Sequence, residues 1–241
     1  MIKFFRHIRK QLLTENKTGK YFKYAIGEII LVVIGILIAL GINNWNENRK
    51  YKSIEKDLLN TITENLKLDS LSFSKNLRRL GTIDSLHNQL YNIGVLGATD
   101  IEIKHPSAIR SIILYAPIGK KNDPFVADKI KNTKVRQEII KYFISVDNID
   151  ESLDQLKEIV GNQIRGYLRK KEAHNLSSAF GKNDEAVNKT LLIEISKEPQ
   201  FQQLLFESNI KTKEVAYFIY LALQQNSILQ NVIRREIKNN Y

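Results

Sequence analysis

The chain has 241 residues, with 37 Lys and Arg against 26 Asp and Glu and no cysteine. A formal charge of +11 would suit a nucleic-acid binder, but over half of that excess lies in the first 23 residues and the rest is spread thinly. No clustered basic face results, so nucleic acid is not an expected partner, and the lack of thiols excludes disulfides and cysteine nucleophiles.

The N-terminal segment carries Lys3, Arg6, Arg9, Lys10, Lys17, Lys20 and Lys23 against Glu15 alone. Within it, Phe5, Ile8 and Leu12 recur at helical spacing while Arg6, Arg9 and Lys10 take other faces. A basic amphipathic helix of this kind suits the anionic inner leaflet of a bilayer. A basic tail that only sets topology is the alternative. The run Lys17-Thr18-Gly19-Lys20 is expected to break the helix before the next element.

Tyr24 to Ile42 is an apolar run of 19 residues with Glu28 as its one charge. About 20 mostly apolar residues cross the hydrocarbon core as a helix. The predicted span covers 21–46, with Tyr21, Tyr24 and Trp45 placed as interface anchors. A Lys/Arg excess marks the cytoplasmic side of a span. Arg6, Arg9, Lys10, Lys17, Lys20 and Lys23 therefore set a cytoplasmic N-terminus, with 47–241 outside, in the periplasm of a Gram-negative cell. Ala39-Leu40-Gly41 would also serve as a signal-peptide cleavage site. The long basic region, the interruption by Glu28 and the lack of a breaker after Gly41 favour an uncleaved signal-anchor.

One face of the span holds Glu28, Val32, Gly35, Ala39, Asn43 and Asn46, at helical spacing. Small residues let helices approach closely and polar ones hydrogen-bond across the contact. An ionisable residue in a span usually faces a partner or a cavity. The face is expected to meet its own copy or another membrane protein. The alternative is that Glu28 snorkels toward Lys20, Lys23 or water.

The block Met1-Ile2-Lys3-Phe4-Phe5-Arg6-His7-Ile8-Arg9-Lys10 and the run Asn16 to Glu28 lead into the span and then Ile42-Asn43-Asn44-Trp45-Asn46-Glu47. Together they resemble an uncharacterised family of bacterial single-span membrane proteins, known only as a domain of unknown function. The resemblance is strongest over 1–50, looser through the next helix and weak beyond about residue 100. It implies a membrane anchor and brings no activity, cofactor or catalytic residue.

Beyond the span, Ile54, Leu58, Ile62, Leu66, Phe73, Leu77 and Leu80 predict one helix face over 47–80. Their spacing fits heptads poorly and drifts as an 11-residue repeat does. A connection follows at Gly94 to Asp100 and Lys104-His105-Pro106. A helix is predicted after Ser107 through Ile109, Ile112, Ile113 and Ala116, then a loop over Gly119 to Pro124. Helices are expected over 126–144 and 149–173, the second through Ile149, Leu153, Leu156, Ile159, Val160, Ile164 and Leu168. A loop at 175–184, a helix over 184–195 and a helix from Pro199 follow. The end of the chain, 210–238, reads as a long helix with Val215, Phe218, Leu221, Ile228 and Val232 at helical spacing. Only Ile101-Glu102-Ile103-Lys104 looks strand-like. The prediction is an all-α chain, with a single N-terminal transmembrane helix continuing into an irregular extracytoplasmic helical bundle. Its parts are a basic segment 1–20, a span 21–46 and an outer domain 47–241.

Chemistry is harder to find. His7, His87, His105 and His174 are too scattered for a metal site and read as exposed or satisfied. No nucleophile elbow, phosphate loop or calcium loop occurs. Asp147, Asp150, Glu151 and Asp154 read as the capped N-terminus of a helix. No catalytic, cofactor or metal residue is predicted. The expectation is a non-catalytic interaction or scaffold protein of the bacterial envelope. A periplasmic ligand-sensing relay is the alternative, and an envelope enzyme comes third.

Overall fold

The computed structural model describes residues 18–181 and 185–241. The amphipathic segment 2–13 and Arg6, Arg9, Lys10 and Lys17 lie outside them. The chain divides into two units, Met1–Lys56 and Asp57–Tyr241. Among the described residues there is no strand, only an isolated antiparallel bridge between His174 and Val187. The chain is all-α as predicted.

The first unit is the early part of helix α1, Thr18–Gly94. Its helix already includes Gly19 and Lys20, so the expected break does not fall there. From Ala25 the helix is long and apolar enough to cross a membrane, with a mean hydropathy of 2.8 and none of its apolar window buried by protein. A helix apolar on every side has no amphipathic face to place on a core and suits a membrane anchor.

In the second unit the same helix changes pattern. Leu59, Ile62, Leu66, Asp69, Phe73, Asn76, Leu80, Ile83, His87 and Leu90 are buried at spacings that alternate between three and four, the heptad seam of coiled-coil packing, with Leu86 and Ile93 buried beside it. The 11-residue drift read from apolar residues alone is corrected. The missing seam positions are filled by Asp69, Asn76 and His87, which a count of apolar residues skips. Each buried Leu or Phe on the seam contributes roughly 1.5–3 kcal/mol.

Two more helices repeat the rhythm. Helix α3, Thr133–Glu158, buries Val135, Ile139, Tyr142, Val146, Ile149, Leu153 and Leu156. It runs on through a π-helix, Ile159–Ile164, into α4, Arg165–Lys170. The wider π turn inserts one residue, so burial moves from Val160 to Ile164 rather than to Gln163. The predicted helices 126–144 and 149–173 are therefore one run, preceded by a 3₁₀ turn at Val126–Lys129. Asp147, Asp150, Glu151 and Asp154 lie within it and cap nothing. The true cap is Asn132, whose side chain accepts from the amides of Lys134 at 2.9 Å and Val135 at 3.1 Å.

Helix α6, Pro199–Asn240, buries Phe201, Leu205, Ser208, Thr212, Val215, Ile219, Ala222, Asn226, Leu229 and Ile233. Of the residues read at helical spacing, Val215 is buried and Phe218 and Val232 pack against the core from its edge, while Ile228 is exposed; polar Ser208, Thr212 and Asn226 occupy seam positions between the apolar ones. Cross-links give the directions. Asn226 donates to the Leu66 carbonyl and Gln202 to that of Gly94, so α6 runs antiparallel to α1. Asn132 reaches Glu236 and Gln225 reaches Glu138, so α6 is antiparallel to α3 as well. Helices α1 and α3 are thus parallel, and the chain must return the length of the bundle between them.

That return is residues 95–132. It holds three of the four prolines, Pro106, Pro117 and Pro124, each of which removes a helix donor. The predicted helix after Ser107 is instead a 3₁₀ turn, Pro106–Arg110, followed by extended chain. The predicted loop at Gly119 holds a short helix α2, Ile118–Asn122. Ile101 to Lys104 forms no strand, although Ile103 is buried. This strap packs Ile103, Ile109, Ile113, Val126 and Ile130 into the same core as the three long helices. Gly97, at φ 72°, turns the chain out of α1. Gly94 touches α5, Lys189–Ser196: a Cβ there would lie 2.6 Å from the Ser196 carbonyl carbon.

Candidate functional site

The span face is laid out as its spacing requires. Val32, Gly35, Ala39 and Asn43 are exposed, and Glu28 and Asn46 are partly covered. Trp45 is exposed, with the Arg49 guanidinium 5.5 Å from its ring centre, an arrangement suited to a headgroup zone. Tyr21, Tyr24 and Lys20 belong to the helix, but their side chains lie outside the described residues. Lys23 is exposed.

The polar seam residues serve the strap. Buried Asp69 accepts from the Ile118 amide at 2.6 Å, the Gly119 amide at 3.1 Å and the Tyr142 hydroxyl at 2.8 Å. Burial, then the Asp69 charge, pushes the Tyr142 hydroxyl far above the usual phenol range. It therefore remains a donor and is no base. Asn76 donates to the Leu114 carbonyl at 2.9 Å. Arg165 grips the Arg110 carbonyl through two nitrogens, and Arg136 does the same to Ile130. An irregular segment inside a bundle must satisfy its backbone groups somewhere, and these side chains do it.

His87 is the buried polar group that this role leaves over. It is 1% exposed. Its Nε2 lies 3.4 Å from Ser208 Oγ and its Nδ1 has no partner. Burial lowers its pKa to about 4, partly opposed by Asp84 and assisted by Lys213. The reading of His87 as an exposed or satisfied histidine is thus corrected. The imidazole lines a cleft of about 410 Å³ between the C-terminal end of α1 and the start of α6, with Asn88, Tyr91, Val95, Gln202, Gln203, Leu205, Phe206 and Asn209. That volume is in the range of small-molecule sites. Sequence reasoning missed the cleft because its two sets of residues lie more than a hundred positions apart and form no local motif. The signal within reach was a histidine falling on the heptad seam.

A second feature lies along the outward face of α6 and begins at Phe206, which also lines the cleft. Phe206, Ile210, Tyr217, Tyr220 and Ile228 are 46 to 59% exposed. Successive spacings keep them on one stripe, about 180° from the buried seam. Over about 22 residues the stripe is roughly 33 Å long. The one charge within it, Lys213, reaches back toward Asp84 at 3.7 Å.

Among the described residues no group of three or more His, Asp or Glu is placed to hold a metal ion. The carboxylates Asp147, Asp150 and Asp154 stay together along α3, where Lys120 pairs with Asp147 and Lys157 with Asp154. Burial, then repulsion from Asp147 and Asp154, raises the Asp150 pKa.

No curated protein matches the chain, and no solved structure does. The resemblance to a family of unknown function holds over a segment that begins inside the span and takes in the whole α1 portion of the bundle and the start of the strap. Residues 28–105 match the model of DUF6090, a family of unknown function.

Proposed function

We propose that this chain is a membrane-anchored, non-catalytic interaction or scaffold protein of the bacterial cell envelope. In this reading the N-terminus is cytoplasmic and lies on the anionic inner leaflet, the span is an uncleaved signal-anchor of the inner membrane, and the bundle is periplasmic. The observation that carries it is the apolar stripe on α6. A helix already buried on one face has no folding need for Phe206, Ile210, Tyr217, Tyr220 and Ile228 on the opposite one. A row of large exposed apolar side chains on one face of a helix suits a contact surface, and aromatic residues are enriched in such contacts. The span face Glu28–Val32–Gly35–Ala39–Asn43–Asn46 would add a second contact within the bilayer.

Photo-crosslinking from Ile210, Tyr217 and Ile228 in cells tests this reading. A specific protein, or a second copy of the chain, should be captured at all three positions and lost in Tyr217→Lys. Capture of lipid alone, or of nothing, would overturn it. Because the chain has no cysteine, Tyr217→Cys gives a clean disulfide test for the second copy.

The alternative, a ligand-sensing relay, is favoured by the cleft at His87, whose lining includes residues of α1, the helix that also holds the span.

A further inference from the structure

The cleft at His87 is lined by His87, Asn88, Tyr91, Val95, Gln202, Gln203, Leu205, Phe206 and Asn209. No Asp, Glu, Lys or Arg is among them. A ligand carrying a phosphate, carboxylate or ammonium group would lose its hydration there without an opposite charge in return. The occupant is therefore neutral.

The hydrogen-bonding character of the lining follows from how its carboxamides are held. Asn209 donates through Nδ2 to Asp84 Oδ1 at 3.2 Å, and Asn88 Nδ2 lies 3.4 Å from Asp84 Oδ2. A carboxylate accepts, so each of these amide nitrogens spends one N–H on Asp84 and keeps a second donor beside its Oδ1 acceptor. Gln202 donates through Nε2 to the carbonyls of Gly94 and Ser196, each at 3.2 Å, which leaves its Oε1. The cleft thus offers carboxamide donors and acceptors side by side, together with exposed Gln203 and the hydroxyl of exposed Tyr91. Such a lining matches a ligand whose polar groups both donate and accept. Tyr91 on α1 and Phe206 on α6 add two half-exposed rings, and aromatic faces cover apolar C–H surfaces.

We propose that this cleft binds a neutral saccharide, its C–H faces against Tyr91 and Phe206 and its hydroxyls exchanging hydrogen bonds with the carboxamides of Asn88, Gln202 and Asn209. A hydrocarbon chain would strand the buried imidazole and the amide oxygens.

The site and the stripe share only Phe206, so the two proposals fail separately. Tyr91 lies off the stripe, and Tyr217 lies outside the cleft.

The test is saturation-transfer NMR on the full chain in lipid nanodiscs, with maltose and N,N′-diacetylchitobiose as probes. A blocked dialanine peptide and hexanediol serve as comparisons. At least one disaccharide should receive saturation at its ring C–H protons. Tyr91→Ala and Phe206→Ala should each weaken binding about tenfold, the equivalent of one aromatic contact. Both side chains are half exposed, so an unchanged melting temperature is expected for each variant and separates lost contact from lost fold. Tyr217→Lys should leave sugar binding as it was. Transfer to diacetylchitobiose alone would assign the site to acetamido sugars. No transfer to either sugar at millimolar concentration would overturn the proposal. So would transfer that persists unchanged in the Tyr91→Ala, Phe206→Ala double variant, or preference for the peptide or the diol.

Discussion

Between Ala25 and Ile42 helix α1 is apolar on every side but for Glu28, whereas between Leu59 and Leu90 it is apolar along a single seam. In the first stretch every large apolar side chain from Ile26 to Ile42 is exposed. In the second, burial follows a seam of alternating three and four spacings with Leu86 added beside it, and three of the seam positions are Asp69, Asn76 and His87. One helix thus carries two patterns. The first suits a solvent with no hydrogen bonds to give. The second requires neighbours that supply specific partners, and it finds them in the strap and in α6. Polar seam residues in a bundle reduce stability unless they are satisfied, and they fix register when they are.

The first half of the comparison breaks if the span loses its all-round apolarity. Arg at a span centre costs roughly 2.5–3.5 kcal/mol on the insertion scale. Val33→Arg with Leu37→Arg should therefore remove the chain from the carbonate-resistant membrane fraction, the largest of the expected effects. Full retention of the double variant in that fraction would refute the reading of this stretch as an anchor.

The second half breaks at Asp69. Asp69→Ala leaves the Ile118 and Gly119 amides and the Tyr142 hydroxyl without their acceptor, all three contacts being within 3.1 Å. Stranding buried partners of this kind costs roughly 3–5 kcal/mol. The urea midpoint of the full chain should fall accordingly, and amide exchange should accelerate first at Ile118 and Gly119. A loss below about 1 kcal/mol, the size of an ordinary exposed hydrogen bond, would mean that the strap is held by its apolar contacts instead.

The sequence made the span and the helical class legible because both depend on composition and period over many residues. The acidic group at Asp147 to Asp154 misled, since the same residues that cap a helix also decorate the exposed side of one. Asn132, the real cap, stands two residues beyond buried Ile130 and looked like any loop asparagine. The strap between residues 95 and 132 was half legible: its prolines announce a break, but nothing local says that Asp69 and Asn76 will be waiting for its backbone. The cleft was the least legible of all. It exists because α6 runs antiparallel to α1, and that direction is set by contacts such as Asn226 to Leu66, 160 positions apart.

The finest distinction concerns His87, the seam position whose polarity the strap does not use. Its pKa is about 4 in the fold against 6.5 when exposed. Between those values the unfolded chain holds a proton on this ring and the folded chain does not, so stability rises with pH across that window. Above about pH 6.5 the contribution is complete, and it fades as pH falls toward 4. At roughly 1.4 kcal/mol per pKa unit the loss approaches about 3.5 kcal/mol at most. Carboxylates titrate toward the lower end of the same window, so the informative quantity is a difference. Replacing the ring by Leu removes the proton-binding site and keeps an apolar seam residue. The fall in the urea midpoint from about pH 7 to about pH 4.5 should then be smaller in His87→Leu than in the wild type. Equal falls would show that the imidazole gains its proton in the folded bundle as easily as in water, and the seam at this level would be open rather than closed.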